Sequence, residues 1–189
     1  QSLDGTALSA ALRSGIHRLI SRGEVINKIN VFPVPDGDTG TNLALTLQAV
    51  LVVLRGSRES HAGQLLTRIA DAALDGARGN SGAILAQFLL GAGDHAGPLP
   101  ALDAAGFADA MTAGAAYARD SLAEPREGTI LTVLTDFAAA LAGQARERGA
   151  QDFAALFRAG LERARASLEA TRDQLVALRR ANLVDAGAL

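Results

Sequence analysis

Apolar residues recur along most of the chain at helical spacing. Leu8, Leu12, Leu19 and Ile20 fall on one side of a segment that Asp4 can cap, which predicts a first helix ending near Gly23. Leu43, Leu47, Val50, Leu51 and Leu54 predict a second helix over 41–55. Leu65, Leu66, Ile69 and Ala73 predict a third over 62–74. Ser81 starts a fourth, carrying Ile84, Leu85, Phe88 and Leu89, and residues 91–100 read as a turn with glycine, proline and histidine. Asp103 opens a fifth with Phe107, Met111 and Tyr117. Glu124-Pro125-Arg126-Glu127-Gly128 breaks it, and Thr129 begins a sixth with Ile130, Val133, Leu134, Phe137 and Leu141. Two more are expected over 151–169 and 172–181.

No alternating pattern marks a hairpin. The expectation is an all-α fold of about eight helices, forming one domain over 1–189 without internal repeats. One stretch interrupts the periodicity. From Ile26 to Asn42 the chain holds two prolines and two glycines, which forbid a regular helix.

Composition sharpens this picture. Of 189 residues, 49% are hydrophobic but only 4% aromatic, so the core must be aliphatic. A formal net charge of -2, with no basic block, leaves no electrostatic footprint for nucleic acid. There is no cysteine, which excludes disulfides, thiolate metal sites and cysteine nucleophiles and fits a cytoplasmic location. The longest apolar stretch, Leu43 to Leu54, is too short to span a bilayer. The chain reads as a piece of a longer protein.

The interrupted stretch holds the first candidate chemistry. Asp36-Gly37-Asp38 puts two carboxylates on a proline-stiffened loop, where they can aim at one hard cation such as Mg²⁺. An Asp-Gly turn beside a helix cap would look the same. A calcium loop starting at Asp36 would need a glutamate where Leu47 stands. Thr39-Gly40-Thr41-Asn42 and Gly79-Asn80-Ser81-Gly82 each precede a helix, whose first N–H groups can hold phosphate or an ordinary cap. Glu127-Gly128-Thr129 is a third small-residue entry. A metal-bound polyphosphate needs these parts together. No phosphate loop of the G-x-x-x-x-G-K-[ST] kind is present, and the single lysine, Lys28, lies too early to serve one.

The run from Asn30 to Asn42, Asn-Val-Phe-Pro-Val-Pro-Asp-Gly-Asp-Thr-Gly-Thr-Asn, resembles the signature of DhaL-type domains, in the form found in bacterial fatty acid kinases. Gly76-Ala77-Arg78-Gly79-Asn80-Ser81-Gly82, Glu127-Gly128-Thr129-Ile130-Leu131 and Val184-Asp185-Ala186-Gly187 are similar to further motifs of that family, in the same order. The resemblance implies a closed barrel of antiparallel helices with ATP or ADP at one rim. It implies Asp36 and Asp38 as magnesium ligands and hence catalytic residues. Thr39, Gly40, Thr41 and Asn42, with Asn80, Ser81 and Gly82, would hold phosphates. Thr129 and Ile130, and Asp185, Ala186 and Gly187, would lie against the nucleotide. A third metal aspartate found upstream in dihydroxyacetone kinase domains is missing, leaving Asn30 or Asn27 as the nearby oxygen ligand. The family's arginine corresponds best to Arg165, although the spacing differs, and the family's proline is Ala186 here.

The implied reaction moves the γ-phosphoryl of ATP to a fatty-acid carboxylate presented by a separate binding protein. It would require the remaining domains of a longer chain, through which a homodimer could form. A dihydroxyacetone kinase subunit and a non-catalytic nucleotide-binding adaptor are the alternatives.

Overall fold

The structure is a computed structural model and describes residues 2–147 and 152–189. It is built almost wholly of helices. Helix α1 spans Gly5–Ile20, α2 Gly23–Lys28, α3 Thr39–Gly56, α4 Ala62–Gly76 and α5 Gly79–Ala96. Helix α6 spans Ala104–Asp120, α7 Ile130–Arg146, α8 Phe153–Gln174 and α9 Val176–Ala181, before a 3-10 turn at Ala186–Ala188. A minimal antiparallel pair, β1 (Leu3–Asp4) with β2 (Ala101–Leu102), ties the start of α1 to the start of α6.

The expected caps are in place. Asp4 accepts from Ala7 N–H at 2.8 Å, Asp103 from Gly106 at 2.7 Å and Thr129 from Leu131 at 3.3 Å. Each satisfies one of the donors that a helix start leaves open.

Three boundaries differ from the periodic reading. Helix α1 ends at Ile20 with Ser21 as its C-cap, and Gly23 begins the short helix α2, which runs into the proline-rich stretch as far as Lys28. Helix α5 continues through Gly91 to Ala96, where a turn was expected. Gly91 is buried there, and a Cβ on it would meet the Ala113 carbonyl oxygen of α6 at 2.6 Å. Those small residues serve close helix approach, not chain reversal. Helix α8 runs on to Gln174, so the expected break near Arg172 falls inside it. Gln151, the expected start of that helix, lies outside the described residues.

Successive helices pack on one another from α3 through α8, with α1 laid against α3 and α4. The core is aliphatic, as composition required: Leu54, Leu65, Ile69, Leu102, Leu131, Leu141 and Leu156 are almost fully buried. Alanines on α5 and α6 let those two helices share the most extensive contact. Three of the six phenylalanines cluster. Phe107 on α6 meets Phe153 and Phe157 on α8, at ring-centroid distances of 6.1 and 5.2 Å, and so holds α8 over the bundle. The closing 3-10 turn touches α2, α3 and α7, joining both halves of the chain at one end. No helix among the described residues is long and apolar enough to cross a membrane.

Candidate functional site

The segments that carry the sequence motifs meet where the C-terminal turn joins α3 to α7. Two adjoining cavities open there. The smaller, about 180 Å³, is lined by Asn30, Asp36, Asp38, Thr39, Asn42 and Gly79, together with Pro33, Val34, Asn80 and Ser81. The larger, about 570 Å³, has apolar walls from Phe32, Ile84, Leu122, Leu131 and Leu175. Its polar lining is Asn80, Ser81, Thr129, Asp185, Glu124 and Arg126, and Ile130 and Gly187 also line it. Pro33, Asn80 and Ser81 line both, so the two form one cleft with an acidic end and an apolar end.

At the acidic end the loop from Ile29 to Asp38 carries both carboxylates, and both residues are exposed. Asp36 accepts a hydrogen bond from Asn30 Nδ2 at 2.8 Å. Asn30 itself is only 6% exposed, and its Oδ1 is buried with no hydrogen-bond partner among the described residues. A buried acceptor left unpaired is costly and calls for a ligand, an ion or a water. Among the described residues no three His, Cys, Asp or Glu side chains gather as a metal cluster. The oxygen set here is two carboxylates plus the Asn30 amide, which suits a hard divalent ion that shares its remaining positions with water or phosphate.

Asp38 occupies the N-cap position of α3, yet its side chain makes no capping bond. Asn27 of α2 does that work. Its Oδ1 accepts from the Gly40 N–H at 2.7 Å and the Thr41 N–H at 3.1 Å, and its Nδ2 donates to Thr41 Oγ1 at 3.0 Å. The sequence offered Asn27 or Asn30 as the third oxygen ligand. The structure leaves Asn30 Oδ1 buried and unpaired, and commits Asn27 to α3.

The other candidate residues divide between walls and scaffold. Thr39, Asn42, Asn80, Ser81, Thr129, Ile130, Asp185 and Gly187 line the cleft. Gly40, Thr41, Gly82 and Ala186 line neither cavity. Gly40 is pressed against the Gly23 carbonyl, and its amide is held by Asn27. Gly82 leaves room for the buried Thr46 hydroxyl, which accepts from Arg78 N–H at 3.1 Å and donates to the Asn42 carbonyl at 2.9 Å. These small residues bring the starts of α3 and α5 together. Arg165 is exposed on α8 and lines neither cavity.

At the apolar end, Asp185 is 4% exposed. Its Oδ2 accepts from Ile130 N–H at 3.0 Å, at the positive end of the α7 dipole, and its own N–H donates to the buried Thr171 hydroxyl at 3.0 Å. Burial pushes its carboxyl up to about 6, against the opposing pull of the Ile130, Ala188 and Gly187 amides. Asp185 therefore fastens the C-terminal turn to α7 and α8. Thr129 caps α7 and also donates to the Arg126 carbonyl at 2.8 Å, fixing the loop that carries Arg126. Glu127 is held by Arg119 and Thr132, each at 2.7 Å, and both contacts hold its carboxyl below the usual range, the Thr132 hydroxyl most.

Phe32, Ile84, Leu122, Leu131, Leu175, Glu124 and Arg126 were not expected at the site. Residues such as Ile84 and Leu131 look like ordinary core positions in sequence. Arg126 carried one available signal: it is a cation in the loop break just before the Gly128-Thr129 entry.

A family model described as the DAK2 domain matches residues 33–189. The chain is 35% identical over 187 residues to protein YloV of Bacillus subtilis, covering 99% of this chain and 34% of that protein. It is 35% identical over 185 residues to an uncharacterized protein of Staphylococcus saprophyticus, covering 98% and 33%. An uncharacterized protein of Staphylococcus aureus is 32% identical over 185 residues, again covering 98% and 33%. The chain thus spans about a third of the length of the relatives it matches.

Proposed function

The chain belongs to the DAK2 domain family, a family of DhaL-like nucleotide-binding domains, and on that premise we propose that it is the Mg–ATP-binding domain of a fatty acid kinase. The observation that carries this reading is the two-part cleft, with Asp36, Asp38 and Asn30 at its acidic end and an apolar cavity of about 570 Å³ at the other. The apolar end has the size and lining for a nucleoside. Asn80 and Ser81, common to both cavities, stand where a polyphosphate would pass between them.

Charge supports a metal. Among the described residues four carboxylates (Asp36, Asp38, Glu124 and Asp185) line the cleft, against the single cation of Arg126, which is paired with Glu124 at 2.9 Å. A naked polyphosphate would be repelled by such a surface. Asp36, Asp38 and the unpaired Asn30 Oδ1 would hold Mg²⁺, which when bound neutralises and draws together the phosphate oxygens. The protein's own contribution is to orient the nucleotide and shield its inner end from water. In the transfer, a carboxylate oxygen of the fatty acid forms a bond to the γ-phosphorus, the bond to the β-phosphate oxygen breaks, and ADP leaves with an acyl phosphate as product.

The acceptor assignment rests on the resemblance of the Asn30–Asn42 run to fatty acid kinases. The greater length of the relatives supports further domains in the same chain. We place the protein in the cytoplasm, where ATP is available and a cysteine-free chain is at no disadvantage. Isothermal titration calorimetry tests the core of the reading. Saturable binding of ADP with Mg²⁺ or Mn²⁺, lost when EDTA removes the metal, is the expected result. No binding with either metal would overturn it.

A further inference from the structure

Asp38 stands at the N-cap of α3, where an aspartate ordinarily turns inward and accepts from the amides two and three residues on. Those amides belong to Gly40 and Thr41. Both are already bonded to Asn27 Oδ1, at 2.7 and 3.1 Å. The Asn27 amide is locked in this orientation, because its nitrogen donates to Thr41 Oγ1 at 3.0 Å. Helix α2 is itself held close, with the Gly23 carbonyl packed on Gly40. The capping of α3 is thus delegated to a residue 13 positions upstream of Gly40, and the Asp38 carboxylate is left without a capping bond.

Resting on the metal–nucleotide reading above, we propose that Asn27 is a positioning residue: it occupies the start of α3 so that Asp38 stays turned toward the cleft and free to bind a cation. Without Asn27, the Gly40 and Thr41 N–H groups are open donors two and three residues beyond Asp38, whose carboxylate takes them once its backbone moves from φ -112°, ψ -5° to the extended conformation of a capping residue. Capping and metal binding would then compete for the same oxygens. An aspartate cap is worth enough that breaking it should weaken cation and nucleotide affinity about fivefold. The Asn27 amide presents its acceptor to the two helix N–H groups and its donor to Thr41 Oγ1.

The test uses the full chain with four variants, titrating Mn²⁺ alone and Mg–ADP well below the melting temperature. Asn27→Ala should bind both ligands about fivefold more weakly, with a modest fall in Tm. Asn27→Asp, which still offers an acceptor to Gly40 and Thr41, should recover most of the affinity. Asp38→Ala should bind neither ligand measurably. The double variant Asn27→Ala/Asp38→Ala should be no worse than Asp38→Ala. Unchanged affinity in Asn27→Ala, with only its Tm lowered, would overturn the positioning role and reduce Asn27 to a helix cap. Wild-type binding retained in Asp38→Ala would instead overturn the metal reading on which the proposal rests.

Discussion

Asp38 and Asp185 carry the same side chain at opposite ends of one cleft and do opposite work. Asp38 is exposed, makes no capping bond and sits on a loop. Asp185 is buried and bonded to the start of α7, while its backbone is tied to α8. A carboxylate whose lone pairs are spent on protein amides becomes part of the scaffold. One whose lone pairs are left open is available to a ligand. The difference lies in the neighbours: Asn27 relieves Asp38 of capping α3, and nothing relieves Asp185 of holding α7.

The contrast can be broken first at Asp185. Asp185→Ala leaves the Ile130 amide without its buried partner and unfastens the C-terminal turn. At about pH 4, where the Asp185 carboxyl is protonated in the folded state, the expected loss is about 2–4 kcal/mol, read as a fall in Tm of roughly 5–15 °C. A change under about 1 kcal/mol would mean that the turn is held by packing alone.

The second effect depends on pH. Folding raises the Asp185 carboxyl from 3.8 to about 6, so the folded state binds the proton more tightly than the unfolded state does. The stability from this group is fully present below about pH 4 and is lost as pH rises through about 6. Between those limits the contribution changes by about 3 kcal/mol at most. Denaturant unfolding of Asp185→Asn against wild type from pH 4 to pH 7 should show a flatter profile in the variant. Identical slopes would show that Asp185 does not titrate in this window.

The smallest effect on stability is expected at Asp38. Asp38→Ala removes an exposed side chain that caps nothing, and the fold should change by less than about 0.5 kcal/mol. The upward shift in Tm produced by Mg–ADP in the wild type should nonetheless vanish. Thermal melts with and without Mg–ADP read both quantities at once. An unfolded Asp38→Ala would make this residue a structural one, like Asp185.

Much of the fold was legible in the chain because its local signals agree. The Leu and Ile spacing of α3, α4 and α7 marks their buried faces, and Asp4, Asp103 and Thr129 are caps that sequence alone identifies. The extension of α5 past Gly91 was not legible. Glycine there reads as a turn, and only the closeness of Ala113 on α6 shows why the helix continues. Helix α2 was hidden for a related reason, since six residues carry too little periodicity to declare themselves.

The site was legible as a set of motifs but not as a division of labour. Sequence by itself determined the helical class, the aliphatic core, and the presence of a paired-aspartate loop ahead of several small-residue helix starts. It did so because periodicity, caps and turn residues act over a few positions. Only the tertiary structure decided that Asn27 caps α3, that Asn30 keeps a buried, unpaired oxygen, and that Asp185 reaches Ile130 across 55 positions. Hydrogen bonds between distant segments depend on how the helices pack, and no local pattern records which of several polar side chains arrives first at a given amide.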